Sequence, residues 1–338
     1  MSWRVWVGCG LSLALSGWFL HSVHWSALGD ALAGVEVLAV AGACAMLLGE
    51  FVLRAVRWKV LLRPVAPAAR IRDLFVATVI GATANTLLPA RAGELAKPLV
   101  AARKVQVSFG TVLATTVMER VYDIFGLLAV LTTMVLVLPV DVGATPAHQE
   151  LVANLKLYGA MFGLFAFTCM FVFFALASRG PDAHRIFTTI TRIAPAPIAR
   201  RFDALFDGFV AGLGNTRDVG GMWQSGALSL AIWFNGVGAI YVLFGAFDLD
   251  LPLGAACFTA VAIALTVALP QAPGFFGVFH VAIEKTLDLW SVDPTPAKAF
   301  AIVFWGVSFV PVTLIGLLAL WREGLTLGGL WSSKEEKS

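Results

Sequence analysis

The chain has 338 residues, of which 59% are hydrophobic and only 13% are charged, and its formal net charge is +3. The apolar residues form long blocks close to or above the roughly 20 residues that carry an α-helix across a bilayer, and this excludes an ordinary soluble domain. The basic residues flank these blocks, so we expect no nucleic-acid partner. The cysteines lie singly in apolar segments without metal or redox spacing, which predicts buried thiols.

The apolar blocks predict membrane-spanning helices. In chain order they are Trp3–Leu20, Val35–Leu53, Phe109–Leu138, Leu155–Ala177, Met222–Phe247, Leu253–Leu269 and Phe300–Leu320. Basic residues are concentrated at 54–72 and 179–217, whereas the linkers near 21–34, 139–154, 248–252 and 288–297 contain no Lys or Arg. The positive-inside rule places both basic segments in the cytoplasm. With the first apolar block retained as a span, both chain termini are expected there too.

Two further segments are apolar but broken. Asp73–Leu88 ends at Pro89, and the short stretch Leu95–Ala102 is followed by Arg103 and Lys104. A full crossing at Asp73–Leu88 would invert every later basic segment. We therefore predict a re-entrant hairpin at 73–102 with residues 85–94 at its tip. Residues 253–289 are broken similarly and flanked only by acidic residues, which predicts a second hairpin from the opposite face.

The predicted fold is all-α: a polytopic membrane bundle of about six spans plus two re-entrant hairpins, forming a single domain over 1–338. Residues 35–138 and 222–320 each read as span, hairpin and span in opposite orientations, an inverted repeat typical of transporters. Residues 178–221 form a cytoplasmic linker with a predicted amphipathic helix, which lies on the inner leaflet or on the protein's own cytoplasmic face. The alternative is a bundle of eight or nine spans with proline kinks.

The first hairpin tip carries charge where hydrocarbon is expected. Pro89 and Gly93 allow the backbone to turn, and Arg91 has the planar guanidinium that suits a phosphate. If a helix resumes near residue 92, Glu94 and Lys97 share one face. The alternative is that these charged side chains only pair with each other.

A second charged motif lies inside a long apolar block. Glu119 is 15 residues beyond Lys104, on the order of 22 Å of helix, and Arg120 and Asp123 follow it. Each isolated charge at this depth costs roughly 3 kcal/mol, so these groups need partners. We predict one polar substrate-binding cluster, with a purely structural ion network as the alternative. Its predicted members are Asn85, Arg91, Glu94, Lys97, Glu119, Arg120 and Asp123.

The tip of the second hairpin is predicted from turn residues and one histidine: Pro270, Pro273, Gly274, Gly277 and His280. His280 lies one helical turn before Glu284 and is either a group that titrates near neutral pH or a simple hydrogen-bonding residue. We identify no phosphate-binding loop, nucleophile set or metal cluster, and expect no cofactor and no metal.

At these motifs the chain resembles a known family, the flippase-like proteins that share the transmembrane domain of lysylphosphatidylglycerol synthases. That group includes a hopanoid-associated branch and archaeal relatives linked to lipid-borne glycosylation. The resemblance rests on three stretches: Asn85 with Leu88–Glu94, then Glu119 and Arg120 with Asp123, then Pro273–Gly274 with Gly277–Phe279. It implies a multi-pass protein of a bacterial or archaeal plasma (inner) membrane that moves, or helps to move, a lipid between leaflets.

Two positions depart from the family pattern. His280 stands where the family usually has Glu, and Gly274–Gly277 reads Gly-Phe-Phe-Gly in place of Gly-Gly-Leu-Gly. An acidic role at the second hairpin would then need Glu284. With the chain ending at 338 we expect no soluble synthase domain and no synthesis of lysylphosphatidylglycerol.

The hypothesis from sequence is therefore a lipid flippase or transporter and not an enzyme. Its partners would be membrane lipids, a phospholipid or a polyprenyl- or hopanoid-type lipid, together with envelope-biogenesis proteins. The alternatives are a membrane-embedded transferase or hydrolase acting on a lipid-linked substrate, with Glu119 and Asp123 as its carboxylates, and a non-catalytic scaffold for envelope lipid assembly.

Overall fold

The computed structural model describes residues 16–23, 25–88, 91–136, 219–268 and 273–326, with separate positions at 10 and 14 and between 157 and 168. These residues form α-helices joined by turns and by a 3₁₀ turn at Pro273–Phe275, and they include no strand. The helices are α1 Trp25–Ala33, α2 Val37–Leu62, α3 Ile71–Leu87, α4 Gly93–Val105, α5 Phe109–Leu136, α6 Val219–Ala246, α7 Leu253–Ala268, α8 Val278–Asp288 and α9 Pro294–Arg322.

Three of these helices are long and apolar enough to cross a membrane: α2, Gly220–Ala246 of α6, and α9. Helix α5 also has 28 residues, but every stretch of 18 residues within it contains Glu119, Arg120 and Asp123. The predicted all-α fold with apolar spans is confirmed. The number of spans and the re-entry of the hairpins into the membrane stay predictions.

Two segments predicted from the sequence to lie between spans contain helix in the structure. The basic segment after Val35–Leu53 begins as helix, since α2 continues to Leu62 and carries Arg54, Arg57 and Lys59. The helix continues because residues 54–62 contain neither Gly nor Pro, and the first proline is Pro64. The predicted linker 21–34 likewise contains α1.

Several predictions lie outside the described residues. These are most of the spans Trp3–Leu20 and Leu155–Ala177, nearly all of the linker 178–221 with its amphipathic helix, and the tip residues Pro89 and Pro270.

Helices α3 and α4 form an antiparallel hairpin in which two glycines allow a very close approach. A Cβ atom added to Gly93 would lie 1.9 Å from the carbonyl oxygen of Gly81, and one added to Gly81 would lie 2.7 Å from Cβ of Lys97. At the open end, Lys104 Nζ lies 3.6 Å from Asp73 Oδ1. Arg91 enters α4 in the left-handed conformation, with φ 53°. The two short helices are therefore packed against each other along their length.

The helices of the two halves follow the same order of lengths. Helices α2 to α5 have 26, 17, 13 and 28 residues, and α6 to α9 have 28, 16, 11 and 29. The packing pairs correspond as well: α3 packs on α9 as α7 packs on α5, and α6 packs on α5 as α2 packs on α9. Each hairpin therefore contacts the last long helix of the other half.

Helices α2 and α6 are antiparallel partners. The Asn235 side chain donates to the Met46 carbonyl at 2.8 Å, and the backbone N–H of Glu36 donates to the Ala246 carbonyl at 3.0 Å. Helix α2 carries charged side chains of the first half, and α6 packs beside it.

Candidate functional site: a network of charged side chains

Charged side chains from α2, the first hairpin and α5 form one connected network. The described members are Glu50, Arg54, Arg57, Arg91, Glu94, Lys97, Glu119, Arg120 and Asp123. Five are basic and four are acidic, so the network has a formal charge of +1. We call this set the charged network.

The charged network lies halfway along two long helices. Asp123 is 14 residues from the first residue of α5 and 13 from its last, and Glu50 is 13 and 12 residues from the ends of α2. At about 1.5 Å per residue, both carboxylates are roughly 20 Å from either helix end. Ion pairing is therefore needed to keep these groups charged at this depth.

The floor of the network is formed around Arg57, whose side chain is 0% exposed. Its Nη1 lies 2.8 Å from Asp123 Oδ1 and donates to the Ser229 hydroxyl at 2.6 Å. Its Nη2 lies 3.8 Å from Glu119 Oε1. One arginine thus connects α2 with both acidic residues of α5 and with α6.

Lys97 reaches the same floor from the first hairpin. Its Nζ donates to Glu119 Oε2 at 2.5 Å and lies 4.3 Å from the centroid of the Trp58 ring. The Trp58 indole is held in turn, because its N–H donates to the Thr115 hydroxyl at 3.0 Å. A buried ammonium is thereby stabilised by a carboxylate and by an aromatic face.

The rim of the network is open. Arg120 Nη2 lies 2.9 Å from Glu94 Oε2, and Arg91 Nη2 lies 3.5 Å from Glu94 Oε1. The side chains of Arg120, Arg91 and Glu94 are 49%, 42% and 30% exposed, respectively. The two most exposed members of the network are therefore arginines.

A middle layer joins rim and floor. Arg54 Nη2 pairs with Glu50 Oε1 at 2.6 Å, and Arg54 Nη1 approaches Asp123 Oδ2 at 3.3 Å. Arg120 Nη1 also reaches Asp123 Oδ2 at 3.3 Å. Asp123 is consequently the residue shared by all three layers.

The structure brings six of the predicted site residues together: Arg91, Glu94, Lys97, Glu119, Arg120 and Asp123. Asn85 packs against Gly93, and its buried Oδ1 has no hydrogen-bond partner among the described residues. Whether these residues bind a substrate stays a prediction.

Sequence reasoning missed the contribution of α2. The positive-inside rule puts Arg54 and Arg57, within the basic residues at 54–72, in the cytoplasm, and the predicted cluster does not include Glu50. The signal that identifies them is their spacing, since positions 50, 54 and 57 recur on one face of a helix.

The second hairpin has a different character. His280 is 0% exposed, packs among aromatic rings with centroid distances of 4.2 Å to Phe276 and 4.8 Å to Phe19, and neither ring nitrogen has a hydrogen-bond partner in the described part of the chain. Gly274 and Gly277 have φ values of 78° and 85°, which only glycine adopts readily. Pro273 begins the 3₁₀ turn. Within the described ranges, no group of His, Cys, Asp or Glu is placed to hold a metal ion.

The two hairpins meet at Arg91, whose Nη1 donates to the Ala268 carbonyl at the end of α7 over 3.5 Å. The charged network therefore adjoins the second hairpin although its charges come from the first half.

Comparison with known proteins identifies the family. The family described as the lysylphosphatidylglycerol synthase TM region matches residues 5–316 of this chain. The chain belongs to this family. It is therefore a membrane-embedded protein of the lysylphosphatidylglycerol synthase TM family, and the resemblance drawn from its motifs is confirmed.

Two curated proteins are distant relatives of this chain. The chain is 23% identical over 235 residues to UPF0104 membrane protein MJ1078 of Methanocaldococcus jannaschii, an alignment of 69% of this chain and 91% of that protein. It is 26% identical over 331 residues to Glycosyltransferase AglD of Haloferax volcanii, covering 90% of this chain and 51% of that protein. The chain thus spans about half the length of AglD. No solved structure matches the chain.

Proposed function

We propose that this protein is a flippase or transporter of the plasma (inner) membrane that moves a lipid with an anionic headgroup between leaflets. The headgroup binds the rim arginines, Arg91 and Arg120, and Lys97 lies below them. The lipid is a phospholipid or a polyprenyl- or hopanoid-type lipid. Family membership supports a lipid-related role.

The observation that carries the proposal is the uneven distribution of charge in the network. A network that served only to hold helices together would have no reason to carry an excess charge, because an uncompensated charge at a buried site is costly. Here one basic charge is in excess and the two most exposed side chains are arginines. Arginine presents donors that match phosphate oxygens in pairs, so the open rim suits a phosphate-containing headgroup.

The proposed movement uses the two hairpins as re-entrant elements of an inverted repeat, comprising residues 35–138 and 222–320. The matching helix lengths and packing pairs of the two halves support this. Rocking of one half against the other would expose the charged network to each leaflet in turn. The positions of the basic segments support a cytoplasmic location for both chain termini.

The proposed topology is tested by labelling single cysteines in a cysteine-free background. A re-entrant first hairpin requires that Cys at Ala68 and at Gln106 react with an impermeant thiol reagent from the same side. Cys at Asp250 and at Ser291, which flank the second hairpin, should react from the opposite side. Labelling of positions 68 and 106 from different sides would contradict the topology.

The transport function is tested in vesicles that contain the purified protein and a fluorescent phosphatidylglycerol. The measurement is the fraction of lipid that an external quencher reaches with time. We expect Arg91→Ala to abolish the protein-dependent movement and the matched variant Arg103→Ala, at an exposed position near the end of α4, to retain it. Unchanged movement in Arg91→Ala would overturn the proposal.

An enzymatic alternative comes from the relative that is named a glycosyltransferase. It requires Glu119 or Asp123 to act on a lipid-linked substrate, but both carboxylates already pair with basic side chains. Incubation of the purified protein with lipid-linked sugar donors distinguishes the two functions, since a covalently altered lipid would favour the enzyme. A scaffold would show neither altered lipid nor lipid movement.

A further inference from the structure

A second surface feature adjoins the charged network: an apolar groove of about 340 Å³ between the two hairpins and α9. Thr86 and Leu87 form one wall, Pro273 and Gly274 form the opposite wall, and α9 supplies the base from Trp305 to Leu314. We call this the hairpin groove. Its volume is within the range of small-molecule sites.

Two contacts join the base of the hairpin groove to the second hairpin. The Trp305 indole N–H donates to the Gly274 carbonyl at 2.7 Å and fixes the second hairpin to α9. Phe309 stacks on Phe275 at a centroid distance of 5.3 Å. These contacts keep the groove formed when nothing occupies it.

The rim of the groove faces outward. Leu314 is 61% exposed, Val310 is 44% exposed and Leu87 is 40% exposed. All belong to helices of an apolar, membrane-embedded chain, and α9 is one of the clear spans. The groove therefore opens towards bilayer hydrocarbon.

The lining favours hydrocarbon over water. The Thr86 hydroxyl donates to the Ala82 carbonyl at 3.1 Å, and the Trp305 N–H is already bonded. A buried water needs two to four polar partners, and this wall does not provide them. The Thr313 hydroxyl is buried and has no hydrogen-bond partner in the described ranges, so it offers the groove no accessible polar atom.

The groove and the proposed headgroup site are close together along the chain. Leu87 lies four residues before Arg91, and the Arg91 guanidinium contacts the Ala268 carbonyl, five residues before Pro273. Arg91 therefore contacts both the charged network, at Glu94, and the end of α7, which precedes one wall of the groove. A lipid whose phosphate contacts Arg91 has a chain beginning within reach of the groove.

We propose that the hairpin groove binds one hydrocarbon chain of the same lipid whose anionic headgroup contacts Arg91. The inference rests on the proposed headgroup site and adds that the substrate is recognised as a whole amphiphile. A lipid tail that moves from the bilayer into the groove does not leave water, so it gains packing contacts but no hydrophobic transfer free energy. Selection of this lipid over bulk lipid must therefore come from the headgroup.

The test uses the full chain in phosphatidylcholine nanodiscs with a phosphatidylglycerol that carries a photoactivatable diazirine on its acyl chain. Adducts are mapped by peptide mass spectrometry. We expect adducts on 305–314 and at Leu87, their loss in Val310→Trp, and their retention in Leu318→Trp, an equally exposed position of α9 outside the groove. Leu314→Trp is the second variant if Val310→Trp does not fold.

A second labelling experiment tests whether the hydrocarbon chain in the groove belongs to the anionic lipid or to bulk lipid. Diazirine-labelled diacylglycerol, which has no anionic headgroup, should label the groove only weakly. Arg91→Ala should reduce groove labelling by phosphatidylglycerol to that lower level. Equal labelling by both lipids, unaffected by Arg91→Ala, would overturn the proposal because it would show bulk lipid in the groove.

The outcomes separate the two proposals. Headgroup-dependent groove labelling without lipid movement would leave the groove as a lipid-binding site and contradict the flippase. If lipid movement depends on Arg91 but adducts are spread evenly over α9, the flippase proposal stands and the proposed binding of a hydrocarbon chain in the groove is wrong.

Discussion

Arg57 Nη1 lies 2.8 Å from Asp123 Oδ1, and no part of the arginine side chain is exposed. The pair joins the last third of α2 to the middle of α5, and Ser229 of α6 completes it with a hydrogen bond. Three long helices therefore share one buried guanidinium. The charged network is held in place at its floor and open at its rim.

The floor of the network should determine stability. Arg57→Met removes the guanidinium and leaves Asp123 and Glu119 in a low-dielectric environment with fewer partners. We expect a loss of about 3–5 kcal/mol in the free energy of unfolding, because breaking one side of a buried pair leaves an uncompensated charge. The measurement is unfolding in detergent, by heat and by denaturant.

The control is Arg103→Met, at an exposed position in the last turn of α4, which should cost little. The double variant Arg57→Met/Asp123→Asn should recover part of the loss, since the carboxylate is then neutral. Equal effects of Arg57→Met and Arg103→Met would show that the guanidinium is not buried as described.

The rim should affect transport more than stability. Arg120 is 49% exposed and pairs with Glu94 near the surface of the cluster. Such pairs contribute about 0–1 kcal/mol, so Arg120→Ala should unfold close to wild type while slowing lipid movement in vesicles. If the network were purely structural, lipid movement would fall only as far as stability falls. Arg120→Ala would then reduce both a little, and Arg57→Met would reduce both strongly.

The close contact of the first hairpin predicts a steric effect. In Gly93→Ala the new Cβ would lie 1.9 Å from the Gly81 carbonyl oxygen and 2.6 Å from Asn85 Oδ1. A backbone carbonyl cannot move aside by changing rotamer as a side chain can, so α3 and α4 must move apart to relieve the clash. We expect a destabilisation of roughly 1–3 kcal/mol.

The matched control is Gly110→Ala near the start of α5, where an added Cβ meets nothing within 4 Å. There alanine should be neutral or stabilising by up to about 1 kcal/mol, because it favours helix. A stable Gly93→Ala protein would mean that the hairpin is more loosely packed than described.

The buried histidine predicts a stabilising substitution. Both ring nitrogens of His280 lack hydrogen-bond partners among the described residues, while aromatic rings surround it. His280→Phe keeps the ring and removes the unsatisfied polar atoms, each of which costs about 1–3 kcal/mol when buried. We expect a higher Tm in a thermal unfolding assay.

His21→Phe is the control, since His21 is exposed and should shift Tm little. A lower Tm in His280→Phe, together with lost lipid movement, would show that the imidazole has a polar partner or a role in transport.

Much of the fold followed from the one-dimensional pattern. Block length and the absence of charge predict helices such as α6 and α9, because a bilayer requires about 20 apolar residues and leaves no alternative to helix. The end of α3 at Leu87 and the start of α4 at Gly93 agree with the break predicted from the proline and glycine of this segment. The extent of α2 did not follow from the pattern. The positive-inside rule uses Arg54 and Arg57 to orient the chain and does not say whether they belong to a helix.

The sequence by itself determined that this is an all-helical membrane protein, that charges lie inside its apolar segments, and that those charges need partners, since each of these follows from the cost of polar groups in hydrocarbon. Only the tertiary structure decided which partners they have. Arg57 meets Asp123 across 66 positions of the chain, and the hairpin groove joins residues near 87, 273 and 310. Such pairings depend on how helices pack, and packing direction is not encoded in local composition or spacing.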